Sequence, residues 1–335
     1  MQPKGCTPNG LHSKLELKAV KNNKECGLQS AKKHPEGKKQ PKGCTPNGLH
    51  SKKGTIMLSI LFGLSSALVW GAADFCGGLV SRKASAYQAV LFGDATGLVA
   101  LLVVAFLSGE APLNWYSWLL CSIAGLMGAL GLLLFFQAMA RGQMSVASPV
   151  AALTGAILPV IVGSFMEGFP GWLRLAGFAL ALAAIWFISQ PDGGPKSLRL
   201  RIADLSLPLM AGVVFGVYLI LLLRGSQTGL FWPLVASHSS GVVTMIIYTL
   251  VTRQPFLPAK TAWPLIVLSG ILAVGGNGLY ILAGQVGRMD VAAVLASLYP
   301  ASTVLLAGLI LHERLNRLQL AGILGALAAI VLMTV

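Results

Sequence analysis

Three ionisable side chains, Asp74, Asp94 and His238, stand inside long apolar stretches of this chain. A charged group in such surroundings is costly unless it faces a cavity or a partner. Carboxyl and imidazole groups that gain and lose a proton as their surroundings change are the parts of a proton relay in pumps and carriers. Shifting Asp94 by 145 positions lands on Ser239, the neighbour of His238. Asp74 follows Trp70 by about one helical turn. Around these three stand Trp70, Gln137, Tyr218, Asn277, Tyr280 and Tyr299. In a binding cavity the rings would form walls, and Gln137 and Asn277 would orient polar groups of a substrate. The alternative for each is a hydrogen bond that ties two helices together.

The elements that must hold these residues are apolar and of one length class. Ten runs are expected to be helices: 56–80, 88–107, 118–139, 146–165, 172–188, 207–223, 230–251, 263–283, 291–311 and 318–335. At about 1.5 Å per residue, each is near the ~30 Å needed to cross hydrocarbon. Pro112, Pro170, Pro191, Pro195 and Pro255 punctuate the joints. Trp115, Trp118, Trp172, Trp232 and Trp263 fall at expected helix ends, where an interfacial belt would put them. Pro149, Pro159 and Pro300 are expected to interrupt the fourth and ninth spans and to turn backbone carbonyls toward a site.

A shift of 145 residues also relates the two halves. It carries Gly71 to Gly216, Trp118 to Trp263, Gly125 to Gly270, Gly131 to Gly276, Met144 to Met289 and Gly177 to Gly322. Each half holds five spans. Five is odd, so the second copy enters the membrane upside down relative to the first. The expected fold is an all-α integral membrane protein of about ten transmembrane helices in two inverted five-helix repeats, over residues 56–190 and 200–335. Such repeats let a central site open alternately to either side. The fifth and tenth spans carry almost no polar residues. They are expected at the periphery, facing lipid or the partner of a homodimer.

Composition agrees. Apolar residues make up 55% of the chain and charged residues 11%, with a mean hydropathy of +0.73. A soluble domain of this length needs more charge to cover its surface. The net charge of +14 sits largely in a tail, where residues 1–55 hold 12 lysines and 3 glutamates. That tail repeats QPKGCTPNGLHSK at 2–14 and 40–52 and is too polar to bury a core, so disorder is expected there. The perfect duplication, together with Met57 at the head of the first apolar run, raises the reading that 1–55 is not native sequence. The tail lacks arginine and aromatic residues, so nucleic acid is not an expected partner. Cys6, Cys26, Cys44, Cys76 and Cys121 form no CxxC pair. Neither a metal nor another cofactor is expected.

From Met57 to Val335 the chain resembles the EamA-type transporters of the drug/metabolite transporter superfamily. The resemblance is carried by Trp70-Gly71, by Ala138-Met-Ala-Arg-Gly-Gln-Met-Ser-Val-Ala-Ser-Pro149, by Met289-Asp-Val-Ala-Ala-Val, by Leu298-Tyr-Pro300 and by His312-Glu-Arg314 before Leu320-Ala-Gly322. The last is similar to the family's Gly-Glu-Arg turn, with His312 in place of glycine. The resemblance implies a multi-pass protein of the cell membrane that transports amino acids, other metabolites or drugs, often outward. A rival class is an intramembrane aspartyl protease using Asp74 and Asp94. Those enzymes carry Gly-x-Gly-Asp, whereas this chain has Leu91-Phe-Gly-Asp94. No Gly-x-Ser-x-Gly elbow and no nucleotide loop is present. Transport of a small molecule, not catalysis, is the expected activity. Because every expected span lies beyond residue 55, deleting 1–55 should leave insertion and folding intact. Membrane extraction and thermal unfolding of the truncated protein check this, and a chain that fails to insert would refute it.

Overall fold

The computed structural model describes residues 47–141, 144–188, 202–310 and 317–334. Eleven helices run through them. In chain order these are α1 (Asn47–Lys83), α2 (Ala86–Ser108), α3 (Trp115–Ala140), α4 (Met144–Met166), α5 (Trp172–Ile188), α6 (Ile202–Gly225), α7 (Phe231–Thr252), α8 (Trp263–Val286), α9 (Met289–Ala296), α10 (Tyr299–Ile310) and α11 (Arg317–Thr334). Among the described residues no strand occurs. Seven of the helices, α1–α4 and α6–α8, are long and apolar enough to cross a membrane. Two shorter apolar helices, α5 and α11, close each repeat, and α9 and α10 together make the ninth span. Exposed Val103, Leu107, Leu126, Ile161, Val243 and Ile247 would form aggregating patches in water. Hydrocarbon solvates them without cost.

Three expectations need correction. The first helix begins at Asn47, not Ile56, because a nucleated helix extends cheaply into flanking residues. The disorder expected over 1–55 therefore fails for 47–55, and for residues 1–46 it lies outside the described residues. Pro149 and Pro159 do not interrupt the fourth span, since both lie inside the continuous α4. Membrane helices tolerate proline when their neighbours re-satisfy the freed backbone. The ninth span does break, at Ser297 and Leu298, where Leu298 N–H donates to Leu295 O (3.1 Å) and Ala301 N–H to Leu298 O (2.9 Å). Pro300 then takes the second position of α10, where no N–H is needed.

The repeat seen in sequence is a symmetry of packing. Trp70 of α1 lies over Gly276 of α8, and Phe215 of α6 lies over Gly131 of α3; each residue of one pair is its counterpart in the other shifted by 145. Gly125 of α3 abuts the Ser237 carbonyl of α7, and Gly270 of α8 abuts the Gly93 carbonyl of α2. The loops repeat the relation. The Tyr87 hydroxyl donates to Pro255 O (2.8 Å), and Trp232 Nε1 donates to Glu110 O (2.9 Å). Residues 87 and 110 shift onto 232 and 255. The start of α2 thus meets the loop after α7, and the start of α7 meets the loop after α2. The two related helices run antiparallel, as an inverted repeat requires.

Side chains seal these joints. The Glu110 carboxylate accepts from the backbone N–H groups of Leu230, Phe231 (2.7 Å) and Trp232 (3.2 Å), capping α7 from outside. A carboxylate there also meets the positive end of the helix dipole. Gln88 accepts from Ser85 N–H and donates to Pro255 O and Leu257 O (both 3.0 Å) at the other end of the pair.

The glycine contacts give a direct test. A methyl group at Gly125 would run into the Ser237 backbone, which cannot swing away. At lipid-exposed Gly275 the nearest atom, Val69 Cγ1, is 3.7 Å from the added carbon, an ordinary contact. Gly125→Ala should therefore lower stability by about 1–3 kcal/mol, the usual cost of overpacking. Gly275→Ala should leave it unchanged or slightly higher. Thermal unfolding in detergent or nanodiscs compares the two.

Candidate functional site

Between the repeats lies a cavity of about 110 Å³. That is room for several waters or part of a small molecule. Its wall is built of repeat-related pairs: Trp70 and Phe215, Ala73 and Tyr218, Gly128 and Ala273, Leu132 and Asn277, Ala152 and Ser297. The cavity therefore sits on the pseudo-two-fold axis, where inverted-repeat carriers hold substrate. In each of these pairs the two members differ in polarity or bulk: a symmetric scaffold carries asymmetric chemistry.

Seven of the nine residues singled out in the sequence line the cavity: Trp70, Asp74, Asp94, Tyr218, His238, Asn277 and Tyr299. Tyr280 does not reach it. This ring is fully buried behind Trp70, with centroids 5.7 Å apart, and its hydroxyl donates to Leu219 O (3.1 Å). Gln137 is half-buried on α3, away from the lining. Phe215, Ser237 and Ser297 also face the cavity and were not anticipated. For Phe215 the signal lay in the repeat, because Trp70 shifts onto it.

Asp94 and His238 meet at the crossing of α2 and α7. His238 Nδ1 lies 3.0 Å from Asp94 Oδ1, and both residues are buried. On α7, Gly241 makes room for the Asp94 carboxylate, while Gly97 on α2 borders the His238 ring and packs closely on Val274 of α8. The pair continues into a chain. His238 Nε2 is 3.3 Å from Asn277 Nδ2, and Asn277 Oδ1 accepts from Trp70 Nε1 (3.0 Å). Donor and acceptor roles follow from one end. Indole nitrogen can only donate. Asn277 must then turn its oxygen to Trp70 and its NH2 to His238. Nε2 accepts, so the ring proton of the neutral imidazole sits on Nδ1 and is donated to Asp94.

Asp74 differs. Among the described residues, no hydrogen bond or ion pair reaches its carboxyl group, which is half-buried in the cavity wall. Water, a proton or a positive group on a bound molecule would have to compensate for it.

A second polar cluster closes one end of the repeat pair. Arg288 grips the fully buried Asp290 through both carboxylate oxygens, with Nε to Oδ1 at 3.0 Å and Nη2 to Oδ2 at 2.6 Å. The same guanidinium donates to Glu167 O (3.1 Å) and Gly168 O (2.9 Å) in the turn after α4. Gly168 has φ 82°, a left-handed conformation that favours glycine. The Glu167 carboxylate accepts from Met289 N–H (3.2 Å to each oxygen) and lies 3.8 Å from Arg288 Nε. Burial pushes the Glu167 carboxyl above its ordinary pKa, against the pull of that N–H and of Arg288. Breaking the Arg288–Asp290 pair from one side strands a buried carboxylate. Arg288→Gln should cost stability toward the lower end of about 3–5 kcal/mol, because 23% of the Arg288 side chain stays exposed. Adding Asp290→Asn to it should recover much of the loss. Chemical or thermal unfolding of the single and double variants measures this.

Comparison with known proteins agrees with this architecture. A solved structure described as "Crystal structure of protein" covers 82% of this chain and 95% of its own, with 16% identity and a TM-score of 0.66. At that identity the likeness shows the fold alone. No curated protein matches the sequence. The EamA-like transporter family matches twice, over residues 57–190 and 203–335, once for each repeat. The chain is a multi-pass membrane protein and belongs to the EamA-like transporter family.

Proposed function

We propose that this protein carries a small organic molecule across the cell membrane by alternating access of the central cavity. One observation carries the reading: the cavity lies on the axis relating two inverted repeats and is lined by matching positions of both. Trp70, Phe215, Tyr218 and Tyr299 supply aromatic walls, and Asn277 and Tyr218 supply polar anchors. Two carboxyl groups and one imidazole face the cavity, and the described lining includes no lysine or arginine. Such a wall favours an amine or another positive group over an anion. Asp74 is the carboxyl group free to meet it. Asp94 and His238 form the proton site, and export in exchange for protons is the direction that fits the family. The protease alternative has less support. Asp94 is hydrogen-bonded to His238, and the family is one of transporters.

The experiment is flux in liposomes. Amines, amino acids, sugars and organic anions are screened first by thermal shift, and any hit is then followed as a labelled solute. With one proton exchanged per cycle, wild-type accumulation should approach about tenfold per pH unit. Asp94→Asn should abolish driven accumulation while keeping exchange at equal pH, because Asn mimics the protonated acid. Wild-type pH dependence in both Asp94→Asn and Asp74→Asn would show that neither acid handles the proton.

A further inference from the structure

We propose that Asn277 is a positioning residue that makes the indole of Trp70 follow the proton on His238. The inference rests on His238 and Asp94 as the coupling site, and extends it to a residue that does not titrate. Trp70, Asn277, His238 and Asp94 are linked end to end, at 3.0, 3.3 and 3.0 Å. Every link is satisfied only while His238 Nε2 has a free lone pair. Trp70 can give a hydrogen bond and never accept one, and the Asn277 amide has one oxygen to offer.

A proton on Nε2 sets an N–H against the N–H of Asn277. The amide can hold its place, leaving two buried donors face to face, or turn over. Turned, it offers its oxygen to a charged imidazole. Charge-assisted hydrogen bonds are roughly twice as strong as neutral ones, so turning wins. The cost falls on Trp70, whose N–H then faces the amide NH2 and has lost the acceptor seen in this structure. The indole lies on the cavity wall, backed by Gly276 and Tyr280. It can regain a partner only by tilting toward the cavity, to water or to a bound molecule. Coupling of this kind is reciprocal. A substrate that accepts from Trp70 lowers the cost of turning the amide and favours the proton on His238.

Of the titratable groups, Asp94 from α2 is the one in contact with His238; Asp74 from α1, Tyr218 from α6 and Tyr299 from α10 share the cavity wall with it, while α3 and α8 give that wall no charged group. The relay joins the two repeats and has no counterpart at the positions related by the shift. Leu132 and Phe215 stand at the positions related to Asn277 and Trp70.

The test needs no substrate. Full-length protein in lipid nanodiscs is labelled with 15N-tryptophan or 15N-histidine and followed by NMR from about pH 5 to 9, the range in which histidine titrates. The chain has 7 tryptophans and 5 histidines; Trp70 and His238 are assigned by loss of their signals in Trp70→Phe and His238→Gln. In the wild type the Trp70 indole resonance should move with pH along the same curve as the His238 ring nitrogens. In His238→Gln it should stop moving. In Asn277→Leu the histidine should still titrate while the indole stays still. Asn277→Asp is the second variant. Its ionised carboxylate can accept from Trp70 and from a protonated His238 together, so the indole should again stay still. A wild-type Trp70 signal that ignores pH, a His238 that does not titrate, or an indole that follows pH equally in Asn277→Leu would overturn the proposal. If Trp70 ignores pH while pH-driven flux is intact, the relay alone fails. If Trp70 titrates as expected but no solute is transported, the transport reading fails.

Discussion

In lipid, two helices gain little by hiding leucines from each other, because hydrocarbon solvates those side chains as well as protein does. What holds this bundle together must be close backbone approach and satisfied polar groups. Both are concentrated where the repeats meet. Glycines at 125, 131, 270 and 276 bring α3 and α8 against the opposite repeat, each next to a carbonyl or an aromatic ring. Tyr87, Gln88, Trp232 and the Glu110 carboxylate tie the ends of the antiparallel α2–α7 pair to the neighbouring loops. The Asp94–His238 contact lies at the crossing of that pair, so its geometry is inherited from the framework.

The framework is symmetric and its charges are not. The end closed by Glu167, Arg288 and Asp290 has a basic group clamped between two acids. The positions related by the repeat to Arg288 and Asp290 are Gln143 and Ser145, which carry no charge. The two repeat-related ends of the scaffold therefore differ in charge.

Much of this was legible in the sequence, for identifiable reasons. Span lengths are fixed by bilayer thickness, and the shift of 145 is marked by tryptophans, methionines and glycines that packing constrains. The near-equivalence of Asp94 and His238 was visible, and an inverted repeat brings equivalent midpoints together on the axis. What could not be read was which side of each helix faces inward. A soluble helix announces its core face by contrast with a polar one. Here the lipid-facing and protein-facing sides are both apolar, so Gln137 and Tyr280 looked as eligible for the cavity as Asn277 and Tyr218. The break at Ser297 was anticipated from Pro300, but the unbroken α4 was not, because proline's effect depends on neighbours the sequence does not show. The Arg288–Asp290 clamp was hidden by its shortness: two residues apart, it looks like ordinary loop charge.

The molecule also carries its own control for what the polar chain does. At Gly131, a glycine of the first repeat takes the Phe215 ring of the second, with Leu132 next along α3. At Gly276, a glycine of the second repeat takes the Trp70 ring of the first in the same way, with Asn277 in the place of that leucine. One scaffold thus holds the same joint with and without polar groups. Packing requires neither the indole nitrogen nor the amide. Replacing a buried polar pair by apolar residues of similar shape is often neutral or stabilising, so stability alone does not explain why this joint keeps Trp70, Asn277 and His238 connected to Asp94. The fold is indifferent to the choice, and the cavity is where the choice has consequences.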